Sequence, residues 1–142
     1  MPPKRSITLT EAELRLMRIL WERGESAVAE IVAAVAEEGP LAYTSVLTTI
    51  RVLESKGYVT HRQAGRAFLY TPTLAEQEAG RSEVRHLLRR FFGDSRESLL
   101  LSLLGDEDVT PAELQRLRQA IAEAAEDRAA APSRRKEGTR KA

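Results

Sequence analysis

The stretch YTSVLTTIRVLESKG, residues 43–57, decides the fold class of this 142-residue chain. Val46, Ile50 and Leu53 recur at helical spacing and predict one buried face, and Gly57 is placed to end the helix. The opposite face carries hydroxyl side chains instead of the Glu and Lys mixture of an ordinary surface helix. The stretch therefore predicts an amphipathic helix that presents short polar side chains outward.

A β-hairpin is predicted directly after this helix. Two β-prone runs, YVTHR at 58–62 and AFLYT at 67–71, flank the loop QAGR at 63–66, which has the length and the glycine of a hairpin connection. Arg66 gives the loop a basic tip, and Pro72 marks the end of the second strand.

Two further helices are predicted before residue 43. Thr10 and Glu13 have the spacing of a capping box, so a helix is expected over 11–23. Ser26 is placed to cap a second helix over 27–38, which the Gly-Pro pair at 39–40 ends. Three helices followed by a two-stranded hairpin predict a winged helix-turn-helix domain over residues 1–73.

Residues 74–126 have a purely helical pattern and predict three more helices, so the fold class is mainly α with a small β-hairpin. A segment of about fifty residues is too small to enclose so many large apolar side chains by itself, which predicts burial against a second copy of the chain. We expect the apolar side chains of this segment to form a homodimer interface: Val84, Leu87, Leu88, Phe91, Leu99, Leu100, Leu103, Leu104, Leu114, Leu117 and Ile121. Residues 127–142 are rich in Ala, Arg and Lys without an apolar period and predict a disordered basic tail.

The formal net charge of +1 conceals an uneven distribution of charge along the chain. Residues 41–73 hold four basic and one acidic side chain, whereas residues 74–126 hold seven basic and eleven acidic ones. The basic segment coincides with the predicted third helix and hairpin, and this is where a polyanion such as DNA is expected to bind.

Small polar side chains on a helix allow its backbone to approach the base edges in the major groove, and basic side chains beside it are suited to the phosphates. A helix with these threonines, taken alone, is as well explained by ordinary surface decoration, but the adjoining hairpin favours DNA binding. The predicted DNA contacts are Tyr43, Thr44, Ser45, Thr48, Thr49, Arg51, Lys56, Arg62 and Arg66.

Several other functions have no supporting residues in the sequence. The chain has no cysteine, and His61 and His86 lie far apart without a metal-binding motif, so neither a metal site nor another cofactor is expected. No phosphate-binding or nucleophile motif suggests an enzyme. Neither a signal peptide nor a membrane span is evident, so a cytoplasmic location is expected.

The segments EAELRLMRILW at 11–21, LAYTSVLTTI at 41–50, KGYV at 56–59 and GRAFLYTP at 65–72 resemble the BlaI/MecI penicillinase repressor family. The resemblance covers roughly residues 8–122 and implies a homodimeric repressor that binds a palindromic operator. It also implies that a membrane-bound sensor-protease relieves repression by cutting the dimerisation region, at a position that corresponds to Ser102 and Leu103. Val52 stands where relatives commonly have an arginine.

The sequence thus predicts a transcriptional repressor that is not an enzyme and whose partners are double-stranded DNA and a second copy of itself. The alternative from another class is a protein-interaction module, because winged helices also occur in proteins that do not bind DNA.

Overall fold

A computed structural model describes residues 7–131. The first helix, α1, spans Glu11–Arg23, and its capping box has the predicted form, with Thr10 Oγ1 accepting from Glu13 N and Glu13 Oε1 accepting from Thr10 N. The second helix, α2, spans Val28–Val35, and the third, α3, spans Tyr43–Ser55. The inner faces of these helices pack together, with Leu16, Met17, Leu20, Ile31, Val46, Ile50 and Leu53 fully buried.

The sheet has three antiparallel strands rather than the predicted two. Strand β1 (Ser26–Ala27) pairs with β3 (Ala67–Pro72), which also pairs with β2 (Val59–Ala64), giving the order β1-β3-β2. Ser26 is therefore not the cap of α2. Its side chain is buried and donates to Gly24 O at 3.0 Å, while the Glu30 carboxylate accepts from Ala27 N at the start of the helix.

Two further boundaries differ from the sequence prediction. Helix α2 ends at Val35 instead of residue 38. Just after the helix end, the Arg15 guanidinium donates to the carbonyls of Val35 and Gly39 at 3.4 and 2.6 Å. The hairpin loop has two residues rather than four, because Ala64 pairs with Ala67 and only residues 65–66 remain outside the strands.

Three helices follow the sheet, as predicted: α4 (Glu76–Phe92), α5 (Arg96–Leu104) and α6 (Pro111–Ala130). Helix α6 therefore includes the first four residues of the predicted disordered tail, 127–130, and residues 132–142 of that tail lie outside the described residues. Gly93 and Asp94, both with positive φ, separate α4 from α5 as expected for a helix break.

The chain divides into two compact units, Met1–Phe91 and Phe92–Ala142. The first unit continues well beyond the predicted boundary at residue 73, because the residues that follow the sheet pack onto the three-helix core. Leu74 and Ala79 are buried in that core, Trp21 Nε1 donates to Leu74 O at 2.7 Å, and Ser82 Oγ accepts from Ile7 N at 2.9 Å.

Candidate nucleic-acid interface

Helix α3 is held in one orientation by its inner face. Val46, Ile50 and Leu53 are fully buried, and at about 100° per residue Thr48 and, two turns later, Ser55 lie most nearly opposite them. Thr44 and Val52, one turn before and one turn after Thr48, lie on the same exposed face. The core thus determines which side chains α3 presents to a partner.

The hydroxyl groups of α3 divide into those that donate to a backbone carbonyl one turn earlier and those of the first turn. Thr48 Oγ1 donates to Thr44 O at 2.8 Å and Thr49 Oγ1 donates to Ser45 O at 2.9 Å, so both hydroxyl hydrogens are already used within the helix. Thr44 and Ser45 are exposed in the first turn, whereas Thr49 is only half-exposed. The helix therefore presents mainly acceptor lone pairs and methyl groups at its middle.

The hairpin formed by β2 and β3, hereafter the wing, is tied to α3 through one face of the sheet. His61 Nδ1 forms a hydrogen bond with the Glu54 carboxylate of α3. The His61 ring lies 5.0 Å from the Phe68 ring and 5.2 Å from the Tyr70 ring, measured between centroids. These contacts set the position of the wing relative to the exposed face of α3.

The tip of the wing carries Arg66. Gly65 precedes it with a φ of +64°, and Arg66 has no positive φ, which is the pattern of a type II′ hairpin turn. Such a turn needs glycine at its first central position, and it leaves the arginine side chain exposed at the end of the hairpin.

A groove runs between α3, the wing and the start of α2. Its lining includes Tyr43, Leu47 and Arg51 from α3, and Arg66 and Phe68 from the wing. Within residues 7–131 no salt bridge involves either arginine of this groove. The two exposed guanidinium groups are consequently available to an anion, and Phe68, 48% exposed, lies beside them.

Lys56, one of the predicted DNA contacts, is bound to a buried carboxylate. Its Nζ lies 3.0 Å from Glu13 Oε1 and 2.8 Å from Glu13 Oε2, and Glu13 is 3% exposed. Burial by itself would raise the pKa of the Glu13 carboxyl, but hydrogen bonds from Lys56 and from Thr10 N outweigh burial and lower it. This pair fastens the end of α3 to the first turn of α1.

Arg62 is likewise engaged, and on the other side of the sheet. Side chains alternate between the two faces of a strand, so Arg62 points away from the face that carries His61. It donates to Glu25 through Nε at 2.8 Å and Nη2 at 2.7 Å, and Thr71 Oγ1 donates to the same carboxylate. The hydrogen bonds from Arg62 lower the pKa of Glu25. The structure therefore does not bring Arg62 together with Arg51 and Arg66.

The apolar residues predicted for dimerisation are mostly exposed in the single chain. On α4, Val84, Leu87 and Phe91 are exposed, but Leu88 is buried within its own subunit. On α5, Leu103 and Leu104 are exposed and Leu99 and Leu100 half-buried. On α6, one stripe at i, i+3 and i+7 is 37–53% exposed and consists of Leu114, Leu117 and Ile121. Ser102 and Leu103, the predicted cleavage position, are exposed near the end of α5.

The sequence predicts Glu13 only as part of the capping box and predicts no role for Arg15 or for Phe68 at the site. A carboxylate inside a helix-capping pattern gives no sign that a lysine 43 residues later will meet it. The position of Phe68 does indicate a role, because a large aromatic residue next to a hairpin tip, with little core beneath it, is expected to remain exposed.

Among residues 7–131, no cluster of His, Asp or Glu side chains is arranged to hold a metal ion. No helix in the same range is both long and apolar enough to span a lipid bilayer.

Three helices, a small antiparallel sheet and an exposed wing define a winged-helix DNA-binding domain, as the sequence predicted. The penicillinase repressor family model matches residues 9–123, and the chain belongs to this family, which consists of DNA-binding transcriptional repressors and not of enzymes.

Individual relatives are distant. The penicillinase repressor of Bacillus licheniformis is 24% identical over 115 residues, which cover 81% of this chain and 90% of that protein. The solution structure of the DNA-binding domain of the repressor BlaI is 25% identical, with a TM-score of 0.47, and covers 53% of this chain and 92% of that one. A complex structure of hsRosR, 17% identical with a TM-score of 0.51, covers 86% of this chain and 94% of that one and shares the fold.

Proposed function

We propose that this repressor binds a palindromic DNA operator as a homodimer, with α3 in the major groove and the wing on the adjacent backbone. One observation carries the DNA-binding mode: Arg51 and Arg66 line the same groove beside the outward face of α3, and neither forms a salt bridge with any residue of 7–131. Guanidinium groups are suited to phosphate oxygens, and the short side chains of α3 let its backbone approach the base edges. Occupying a promoter in this way blocks transcription.

The division of roles within the interface follows from the side chains. Thr44, Ser45, Thr48 and Thr49 contact bases, while Arg51 and Arg66 contact phosphates and contribute affinity with little sequence information. Tyr43, 53% exposed at the first position of α3, lies near both arginines and is suited to a phosphate as well. Lys56 and Arg62 maintain the shape of the domain and do not contact DNA.

Binding selectivity tests this proposal. The full chain is mixed with a library of random duplexes, and the bound duplexes are sequenced after repeated selection. We expect enrichment of an inverted repeat, with an affinity for it that decreases as salt increases. Equal retention of all sequences would refute the DNA-reading role and would support the alternative, a winged-helix protein-interaction module.

Variants separate base contacts from phosphate contacts. Thr44→Ala and Thr48→Ala are each expected to weaken operator binding by about 1–3 kcal/mol while leaving binding to random duplexes unchanged. Arg66→Ala is expected to weaken binding to both and to reduce the salt dependence. Arg18→Ala, which removes an exposed arginine of α1, is the matched control and should change neither.

The homodimer is supported by the exposed stripe on α6. Neither α5 nor α6 has a single buried residue in the isolated chain, although α6 carries Leu114, Leu117 and Ile121 on one side. A second copy covers such a stripe and removes its apolar area from water. Two copies also supply the two recognition helices that an inverted repeat needs.

Sedimentation of charged variants tests the dimer. Ile121→Glu is expected to produce a monomer with weak operator affinity, because the new carboxylate would be buried in the interface. Gln119→Glu introduces the same charge on the opposite side of α6 and should remain dimeric. A wild-type chain that sediments as a monomer, or an Ile121→Glu variant that remains dimeric, would contradict the proposed interface.

We further propose that repression ends when a membrane-bound sensor-protease cuts between Ser102 and Leu103. Both residues are exposed, and the cut would separate the stripe on α6 from the DNA-binding unit. Mass spectrometry of the repressor from induced cells is expected to find a fragment that ends at Ser102. An intact repressor that leaves its operator during induction would contradict this step.

A further inference from the structure

An exposed valine occupies the DNA-facing side of α3. Val52 is 41% exposed and follows Thr48 by one turn, while the inner side of the helix is already filled by Val46, Ile50 and Leu53. A single exposed valine is ordinary on a protein surface. Its position here is specific, because the exposed face of α3 is the one that meets base edges under the proposed function. In the major groove, the apolar group that distinguishes one base from the others is the thymine methyl.

Thr48 restricts the neighbouring contact in a different way. A hydroxyl has one hydrogen and two acceptor lone pairs, and the hydrogen of Thr48 is used in the 2.8 Å bond to Thr44 O. What remains toward the groove is an acceptor. Adenine N6 and cytosine N4 are the major-groove donors, whereas guanine offers only the acceptors O6 and N7. Thr48 is consequently complementary to an amino group and unsuited to guanine.

We propose that α3 reads its half-site through a thymine methyl, contacted by Val52, and an adjacent exocyclic amino group, contacted by Thr48, and that no guanine contact is needed at these positions. This inference rests on the proposed function. Side chains four residues apart on a helix have Cβ atoms about 5–6 Å apart, and base pairs are about 3.4 Å apart along the duplex. The two contacts therefore fall on the same or neighbouring base pairs.

Chemically altered operators test the methyl contact. Duplexes obtained by the selection described above are resynthesised with uracil in place of one thymine at a time, symmetrically in both half-sites. At one thymine position we expect uracil to weaken wild-type binding by roughly fourfold per half-site. This factor corresponds to about 0.8 kcal/mol, the free energy gained when one apolar carbon is buried. The Val52→Ala variant should bind the thymine and uracil duplexes almost equally, whereas Val52→Ile, which keeps the methyl contact, should still prefer thymine.

The amino contact is tested with base analogues that lack that group, purine for adenine and 2-pyrimidinone for cytosine. The wild-type chain should lose affinity at one such position, and Thr48→Val, which keeps the shape but lacks the hydroxyl, should lose this preference. Replacing guanine by 7-deazaguanine at the central positions of the half-site should have no effect. Thermal unfolding of each variant confirms that it is folded.

The outcomes distinguish this inference from the proposed function. Enrichment of an inverted repeat in which uracil is neutral at every thymine would overturn the methyl contact and leave operator binding intact. The same is true if the Val52→Ala variant still prefers the thymine duplex over the uracil duplex as strongly as the wild-type chain does. A library from which no sequence is enriched would overturn the proposed function, and the inference with it.

Discussion

The Glu13–Lys56 pair gives the sharpest test of which basic residues stabilise the fold and which contact DNA. Sequence reasoning placed Lys56 on a DNA phosphate, but its ammonium group lies against a carboxylate that is 3% exposed. Replacing Lys56 by Met keeps most of the apolar stem of the side chain and removes the ammonium group with its charge and its hydrogen bonds to Glu13. We therefore expect Lys56→Met to lower the stability of the fold and to leave the salt dependence of DNA binding unchanged.

The expected size follows from what the substitution leaves behind. Removing one partner of a fully buried ion pair costs about 3–5 kcal/mol. The Lys56 side chain is 35% exposed, so water already weakens the pair, and Glu13 keeps its hydrogen bond from Thr10 N at 2.8 Å. We expect a decrease of about 1–3 kcal/mol in the free energy of unfolding.

The pH dependence has a defined sign. Because the pKa of Glu13 is lowered in the folded state, its contribution to stability is fully present above the ordinary carboxyl value of 4.5 and is lost as the pH falls through the lower folded value. The stability difference between wild type and Lys56→Met should thus be largest near neutral pH and should shrink below pH 4.5. Urea unfolding at a series of pH values measures it.

Arg51→Met is the matched control, since Arg51 is also exposed on α3 but forms no salt bridge within the described range. It should leave the unfolding free energy nearly unchanged and reduce the slope of log affinity against log salt by about 0.9 per half-site. A Lys56→Met variant as stable as the wild type, with a slope reduced in the same way, would refute the structural role of the Glu13–Lys56 pair.

Three further substitutions test other contacts. Gly65→Ala should destabilise the hairpin by about 1 kcal/mol in thermal unfolding, because alanine is strained at a φ of +64°, and an unchanged melting temperature would contradict the turn geometry. Arg62→Gln breaks the contact with Glu25 on the far side of the sheet and should leave the salt slope of operator binding unchanged in a titration, whereas a smaller slope would place Arg62 on DNA. Trp21→Phe leaves the Leu74 carbonyl without its 2.7 Å donor and should cost about 1–3 kcal/mol in denaturant unfolding, so a neutral result would show that this bond is dispensable.

The order of helices and the hairpin could be predicted because each has a local signal. The capping box at Thr10 and Glu13 and the buried spacing of Val46, Ile50 and Leu53 depend only on residues within a few positions of one another. Strand β1 could not be predicted in the same way. It has two residues, and it exists only because Ser26 and Ala27 lie beside Tyr70 and Leu69 after the chain has folded.

The candidate site was predictable in composition but not in detail. The third helix and the wing were located correctly, and Arg51 and Arg66 do line one groove. The sequence offers no means to distinguish them from Lys56 and Arg62. The local sequence around a basic residue is the same whether or not that residue forms an ion pair with a distant carboxylate in the folded chain. Glu13 and Glu25 lie 43 and 37 positions away from these partners, and such long-range pairs are decided by the tertiary structure.

The division of the chain at Phe91 has a consequence for how the regulator can change over time. All residues assigned to base and phosphate contacts precede this point, whereas the exposed stripe on α6 and the leucines of α5 follow it. Under the proposed homodimer, mutations after Phe91 would alter the separation of the two half-sites while the choice of bases stays the same, and mutations in α3 would change the choice of bases while the separation stays the same. A repressor built in this way would acquire new promoters by either route alone.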